Sequence, residues 1–314
     1  MPPSPVTDPR PHPAPASRYH PQGIRRNFSW ILAGDFINAV AGWLLLSLLN
    51  KRTGDTTDAG IYLLGQAISA PVIMLTNLEL AGALVTDAQR RYPYGVYLSL
   101  RLVTSIVGVL LIAAIAAAGD YPLSTVLAIG LVGVSMAIAM LRDVLQAIMK
   151  HNECMGLVGR SQMAVSGLML VLFGCGYWFT GSLNIAIVGM CVARIGVTWV
   201  YDWPHARNLV TYRLKQRLKL EWPWGDMGQL ARTSAPLAVA MALGSLAQNI
   251  PRYYVEHWHG LATLGYFGSM AAIITAAARF LNALGTATLP RLSTYYSENR
   301  AAYLHLALKL LLIA

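Results

Sequence analysis

Four ionisable side chains stand inside long apolar stretches of this sequence: Asp35, Glu79, Arg194 and Arg279. An ionised group in hydrocarbon costs about 2.5–3.5 kcal/mol on insertion scales, so each needs an internal partner, a wet cavity or a task. Asp35 falls seven residues into its stretch, roughly 10 Å deep at about 1.5 Å of helix per residue. Glu79 stands six residues from Val85 and Arg279 five residues from Leu284, roughly 9 and 8 Å from the corresponding ends. The three share one depth. A guanidinium matches phosphate oxygens in a two-pronged geometry, so Arg279 suits capture of an anion, while Asp35 and Glu79 suit coupling to a cation or a proton. The plainer reading is a structural ion pair, or an Arg279 that snorkels to the interface. Arg194 lies eleven residues past Leu183, near mid-membrane. No snorkelling path is short there, which leaves a structural partner or contact with an anionic cargo. Arg101, five residues into its stretch, reads as interfacial.

The elements that must carry these residues follow from composition. Hydrophobic residues make up 55% of the chain, charged ones 12%, and mean hydropathy is +0.48. A soluble domain carries about 25% charged residues. The deficit is concentrated in runs long enough to cross a bilayer, which takes about 20 residues of helix. Continuous apolar runs argue helix over barrel, because each crossing must satisfy its own backbone. The expected fold is an all-α polytopic bundle of about nine spans, placed at 28–49, 59–85, 96–118, 121–141, 163–180, 183–203, 235–255 and 261–284, with a ninth starting near Ala301. Pro71 predicts a kink in the second. Residues 1–23 are proline-rich and offer no apolar run, so a disordered tail is expected. Ala39-Val40-Ala41 fits a cleavage pattern but falls in mid-span, so no cleavable leader is expected.

Charge sets the orientation. The net charge of +10 and the pI near 9.7 could point to nucleic acid, but the basic residues sit in short loops between spans. With the N-terminus in the cytoplasm, seventeen of the 24 Lys and Arg fall in inner loops, Arg142, Lys150 and Arg160 among them, and only Lys51, Arg52 and Arg252 in outer ones. That asymmetry is the positive-inside pattern. The longest inner loop mixes basic and apolar residues over Arg207 to Leu220, which suits either a helix lying on the anionic leaflet or a solvated linker. Cys154, Cys175 and Cys191 are odd in number and two lie in apolar runs, so they read as filler and not as a disulfide framework.

An internal repeat organises the chain. Gly60-Ile61-Tyr62 matches Gly265-Tyr266-Phe267 at an offset of 205, and the same offset pairs Ala67 with Ala272, Ile68 with Ile273, Asn77 with Asn282 and Leu84 with Leu289. Both copies begin inside, which predicts a parallel repeat about an axis along the membrane normal, an arrangement typical of transporters. The expected domains are a tail (1–23), a first six-helix bundle (24–203), a basic linker (204–232) and an incomplete second bundle (233–314).

Several motifs then fall in order: Asn249-Ile250-Pro251-Arg252-Tyr253-Tyr254, Leu264-Gly265-Tyr266-Phe267 and Leu289-Pro290-Arg291-Leu292-Ser293, with Gly60-Ile61-Tyr62, Ala70-Pro71 and Asn77-Leu78 in the first half, and His151-Asn152-Glu153 before Gly159-Arg160-Ser161-Gln162. Over about 24–314 this resembles the polysaccharide-biosynthesis flippases of the multidrug, oligosaccharidyl-lipid and polysaccharide exporter superfamily. The resemblance implies two bundles of twelve to fourteen helices in all, in a bacterial cytoplasmic membrane. It implies ion-coupled alternating access that flips an undecaprenyl-pyrophosphate-linked oligosaccharide, with membrane lipids, a polymerase and export proteins as partners. It also implies that the first, second and eighth spans line the cavity, so that Arg279 binds substrate while Asp35 and Glu79 couple the ion; Arg194, on the sixth span, is the further substrate-binding candidate. A chain that stops within its ninth span departs from that pattern and reads as truncated.

Other chemistry is not indicated. The sequence has no G-x-x-x-x-G-K-[ST], G-x-G-x-x-G or H-E-x-x-H motif. His151-Asn152-Glu153-Cys154 and Glu256-His257-Trp258-His259 hold ligand types without a second cluster at metal-site spacing. Neither cofactor, metal nor enzymatic activity is expected. The rival readings are a cation-coupled drug exporter, a membrane glycosyltransferase or polymerase, and a non-transporting fragment. The topology is testable with reporter fusions. Fusions after residue 20 and near residue 215 should both report cytoplasm, and one near Asp120 the opposite face; opposite sides for the first two would refute the orientation.

Overall fold

The computed structural model describes the backbone of residues 24–298, apart from Gly54, residues 88–90, Glu153 and Gln216, together with Leu304, and most side chains between Ser29 and Ala271. The expected tail and ninth span lie outside the described residues. All regular structure among them is helical, without strands: α1 (Ile24–Thr53), α2 (Thr57–Asn77), α3 (Leu80–Thr86), α4 (Tyr94–Ala118), α5 (Leu123–His151), α6 (Met155–Thr180), α7 (Leu183–Val197), a π turn (Thr198–Asp202), α8 (Trp203–Leu214) and α9 (Trp224–Glu298). Among the described residues, seven stretches are long and apolar enough to cross a membrane: Ser29–Lys51, Thr57–Val85, Tyr94–Ala118, Leu123–His151, Met155–Thr180, Leu183–Tyr212 and Trp224–Ala271. The chain is a multi-pass membrane protein. The number falls below the expected nine because the spans placed at 235–255 and 261–284 form one helical run and the ninth lies outside the described residues.

Each interruption of a helix has a local cause. The run of α9 breaks at Gly260, whose φ of 79° is open to glycine alone at little cost. The helix α2 runs on through Pro71. Its missing N–H orphans the Ala67 carbonyl one turn earlier, and the Tyr253 hydroxyl of α9 donates to that oxygen at 2.5 Å. The second span breaks instead at Leu78 and Glu79, both left-handed at φ 49° and 46°. Left-handed backbone costs about 1–2 kcal/mol per non-glycine residue, so packing must hold it. Pro204 likewise orphans the Val200 carbonyl, and the helix widens there into the π turn that ends at Asp202.

Two apolar clusters form the core. One joins Leu45, Leu49, Tyr62, Ile73, Ile112, Ile129, Ala137, Met169, Phe173 and Met190. The other, toward the expected inner face, joins Leu80, Val96, Leu100, Val144, Ile148, Val158, Leu209, Met227 and Leu230. The basic segment after the sixth span is helical through Leu214, but Ala206, Leu209 and Val210 are buried against the second cluster. The apolar side of α8 therefore packs on protein and not on a lipid surface.

The two copies of the sequence repeat meet where α2 crosses the arm of α9 beyond Gly260. A Cβ on Gly60 would run into the Leu261 carbonyl oxygen, and a Cβ on Gly265 into the Thr56 carbonyl oxygen. Thr56 and Leu261 stand at the same offset as Gly60 and Gly265, so the close approach is reciprocal. Thr56 Oγ1 donates to the Ala262 carbonyl at 2.6 Å, and Asn50 Nδ2 to Ser269 Oγ at 2.7 Å. Nearby, the Tyr121 hydroxyl donates to Glu256 Oε1 at 3.2 Å; burial, then that carboxylate, push the phenol up to about 12. Gly60→Leu should overpack the crossing and cost about 1–3 kcal/mol or more, read as a lower melting temperature in detergent. Gly130→Ala, with nothing within 4 Å, should be near neutral; equal effects would contradict the crossing.

Candidate functional site

A layer of buried polar side chains separates the two apolar clusters on five elements in turn. On the second span Asn77 lies between Ile73 and Leu80. On α4, Arg101 and Ser105 lie between Leu100 and Ile112. On α5, Arg142 lies between Ala137 and Val144, and on α6, Ser161 and Ser166 lie between Val158 and Met169. Arg194, partly buried, and Asp202, fully buried, lie between Ala193 and Ala206. Counted from the inner helix ends at Val85, Tyr94, His151 and Met155, the depths of Asn77, Arg101, Arg142 and Ser161 come to roughly 9–13 Å.

The centre of the layer is an ion pair. Arg142 Nε donates to Asp202 Oδ2 at 2.8 Å, with both side chains buried. Ser161 Oγ donates to Asp202 Oδ1 at 2.5 Å and accepts from Arg142 Nη2 at 2.7 Å and from Gln146 Nε2 at 3.4 Å. The serine uses its one donor and both acceptor positions. Next to Ser161 on the same helix, a Cβ on Gly159 would clash with the Trp30 backbone, so α1 and α6 touch main chain to main chain. Neither Arg142 nor Asp202 was expected here. Ending the fourth span at residue 141 put Arg142 in a loop, whereas α5 runs on to His151. The usable signal was Pro204, which forces the turn that brings Asp202 inward.

Arg194 lies on α7 with Nη1 donating to the Ser135 carbonyl at 2.6 Å. Tyr62, Arg142 and Cys191 are its electrostatic neighbours. The Tyr62 hydroxyl reaches Met190 Sδ at 3.8 Å and has Gln66 beside it. Arg194 thus has an internal partner and faces a wall of polar groups from α2 and α5. Glu79 lies at the break of the second span, its Oε2 at 3.5 Å from Asn77 Nδ2. Asp35 is exposed on α1, which packs on α6 and α9, whereas the break packs on α4 and α5. The equal depth read from the sequence does not by itself bring Asp35 and Glu79 together, because α1 packs chiefly on α6 and α9 and only lightly on α2. The side chain of Arg279 lies outside the described residues. Arg101 is not interfacial, as expected from its position, but 1% exposed. His151 Nδ1 is 3.0 Å from the Leu84 carbonyl.

Comparison with known proteins gives a distant likeness and shows no family. No family model matches the chain. A curated relative, the capsular polysaccharide biosynthesis protein CapF of Staphylococcus aureus, is 26% identical over 276 residues, which is 88% of this chain and 67% of that protein. A solved structure described only as protein A aligns with a TM-score of 0.58 at 14% identity over 91% of this chain and 68% of its own; it shares the fold. These findings correct the resemblance to exporter-superfamily flippases. What the chain is similar to is a protein of capsular polysaccharide biosynthesis, whose name carries neither flipping nor that superfamily. The quoted motifs draw on the few residue types that apolar helices use, and their recurrence does not make a family.

The ion pair has a direct test. Removing one partner leaves a buried charge, so Asp202→Ala or Arg142→Ala should cost about 3–5 kcal/mol. The Arg142→Met, Asp202→Leu double variant should recover most of the loss. Strictly additive changes in melting temperature would show that the two residues do not interact.

Proposed function

We propose that this chain carries an anionic, lipid-linked saccharide intermediate of capsular polysaccharide assembly across the cytoplasmic membrane, and that it acts as a transporter and not as an enzyme. The observation that carries this reading is the arginine-bearing layer inside an otherwise apolar bundle. Polar and charged groups at membrane depth are expensive and mark paths for polar cargo. Guanidinium groups favour phosphate and sugar-acid cargo over cationic drugs, which would call for a cavity lined by acids. The link to capsular polysaccharide synthesis in the relative supplies the class of saccharide.

The N-terminus lies in the cytoplasm, and two parallel repeats meet at the Gly60–Gly265 crossing, near the outer face. The headgroup crosses through the polar layer while the lipid tail stays in the bilayer. Arg194 and Arg279 hold the anionic headgroup, and Asp35 and Glu79 exchange the coupling ion. Partners are the lipid-linked saccharide, membrane lipids, and the polymerase and export proteins that receive the product; nucleic acid is not among them.

Deleting the gene in its host should abolish surface polysaccharide and leave the lipid-linked intermediate in the inner leaflet. The wild-type gene should restore export. Arg194→Glu should insert at normal levels and fail to restore it. Full restoration by Arg194→Glu, or intact polysaccharide after deletion, would refute the proposal.

A further inference from the structure

Buried polar atoms without a partner gather at the break of the second span. Asn77 Oδ1, Arg101 Nε and Nη2, and Ser105 Oγ have no hydrogen-bond partner. Gly108 of α4 packs against Thr76. Ser105 and Arg101 precede it by one and two helical turns, so they share its face and stand beside Asn77 and the break. Buried donors and acceptors left open in this way call for water or a ligand.

The charges around the break are balanced. The carboxylates acting on Arg101 are Asp143 of α5 and then Glu79. Asp143 in turn has Lys150 at 3.7 Å. From its own span Glu79 meets the Asn77 amide, and from α5 His151 is tied to the Leu84 carbonyl of α3. With both acids ionised, two cations face two anions.

We propose that Glu79 and Arg101 form a water-bridged, protonatable pair, and that the break of the second span is the site where a proton enters the bundle. This rests on the transport reading and names the ion that Glu79 exchanges. A metal cation would need oxygen ligands there, and the guanidinium beside Glu79 offers only donors and repels it. A proton passes instead from bulk water to a Glu79 carboxylate oxygen and removes the negative charge there. Arg101 then turns to its other carboxylate, Asp143 on α5. The left-handed residues Leu78 and Glu79 lose the charge contact that holds them against α4, so α2 and α3 change their mutual angle. Arg101 is a positioning residue in this scheme, because it acts through Glu79.

The test is infrared difference spectroscopy of the purified full chain in lipid nanodiscs, without cargo, titrated with acid. A protonated-carboxyl band should appear in the wild type and be lost in Glu79→Gln. In Arg101→Gln it should appear at a different pH, and in Arg101→Lys near the wild-type one. If Arg101→Gln does not fold, Asp143→Asn, which removes the competing carboxylate, should displace the band as well. A Glu79 band that keeps its wild-type pH in both Arg101→Gln and Asp143→Asn overturns the proposal, as does the absence of any band sensitive to Glu79→Gln. Because no cargo is present, this result and a failure of export in cells are independent.

Discussion

Water is missing from the hydrocarbon core, so a charge placed there must find its counter-charge within the protein. The Arg142–Asp202 pair, closed by Ser161, meets that demand. It ties α5, α6 and the π turn together at one point. Around it the helices can carry a polar layer between two apolar clusters without exposing a charge to lipid. A buried pair of this kind contributes little net stability compared with well-packed apolar residues. The pair lies at the depth where Arg101 and Asn77 also lie, the layer through which the transport reading passes the headgroup.

The irregular backbone follows the same logic. Each departure from helix pairs a lost hydrogen bond with a supply of another, or places the loose end beside polar groups. Pro71 orphans a carbonyl and Tyr253 fills it. Pro204 widens α7 into a π turn, which presents Asp202. Leu78 and Glu79 adopt left-handed backbone where Asn77, Arg101 and Ser105 converge. Unwound segments inside membrane proteins are tolerated only where protein or a wet cavity surrounds them, and such discontinuous helices are where transporters place their ions and substrates. The reciprocal approach of Gly60 and Gly265 adds a fixed point at the opposite end, where two repeat copies press main chain to main chain.

Much of the fold was legible in the sequence. Runs of apolar residues place six of the spans within a few residues of the helices, except at the inner ends of the fourth to sixth, because hydropathy ends where the charges begin while the helix does not. Arg142 shows the cost of that rule: taken for a loop residue and a topology signal, it is a buried anchor. The offset of 205 found the residues of the glycine crossing, since close main-chain approach restricts identity more than lipid contact does. Asp202 was invisible because its inward direction depends on a π turn, which no apolar period records. Depth along a helix grouped Asp35 with Glu79, but depth carries no information about which neighbours a helix packs on. The family likeness failed for a related reason: apolar motifs are shared by proteins that need only the same solvent.

The most direct measurement is the water content along α4, read by deuterium modulation of a spin label placed in turn from Leu98 to Ile112 in nanodiscs made with heavy water. The account predicts two dry regions, at Leu98 and at Ile112, and a wet maximum between them at Ser105. A signal that falls steadily from the inner end of the helix to Ile112, with no rise at Ser105, would contradict a polar layer inside the membrane.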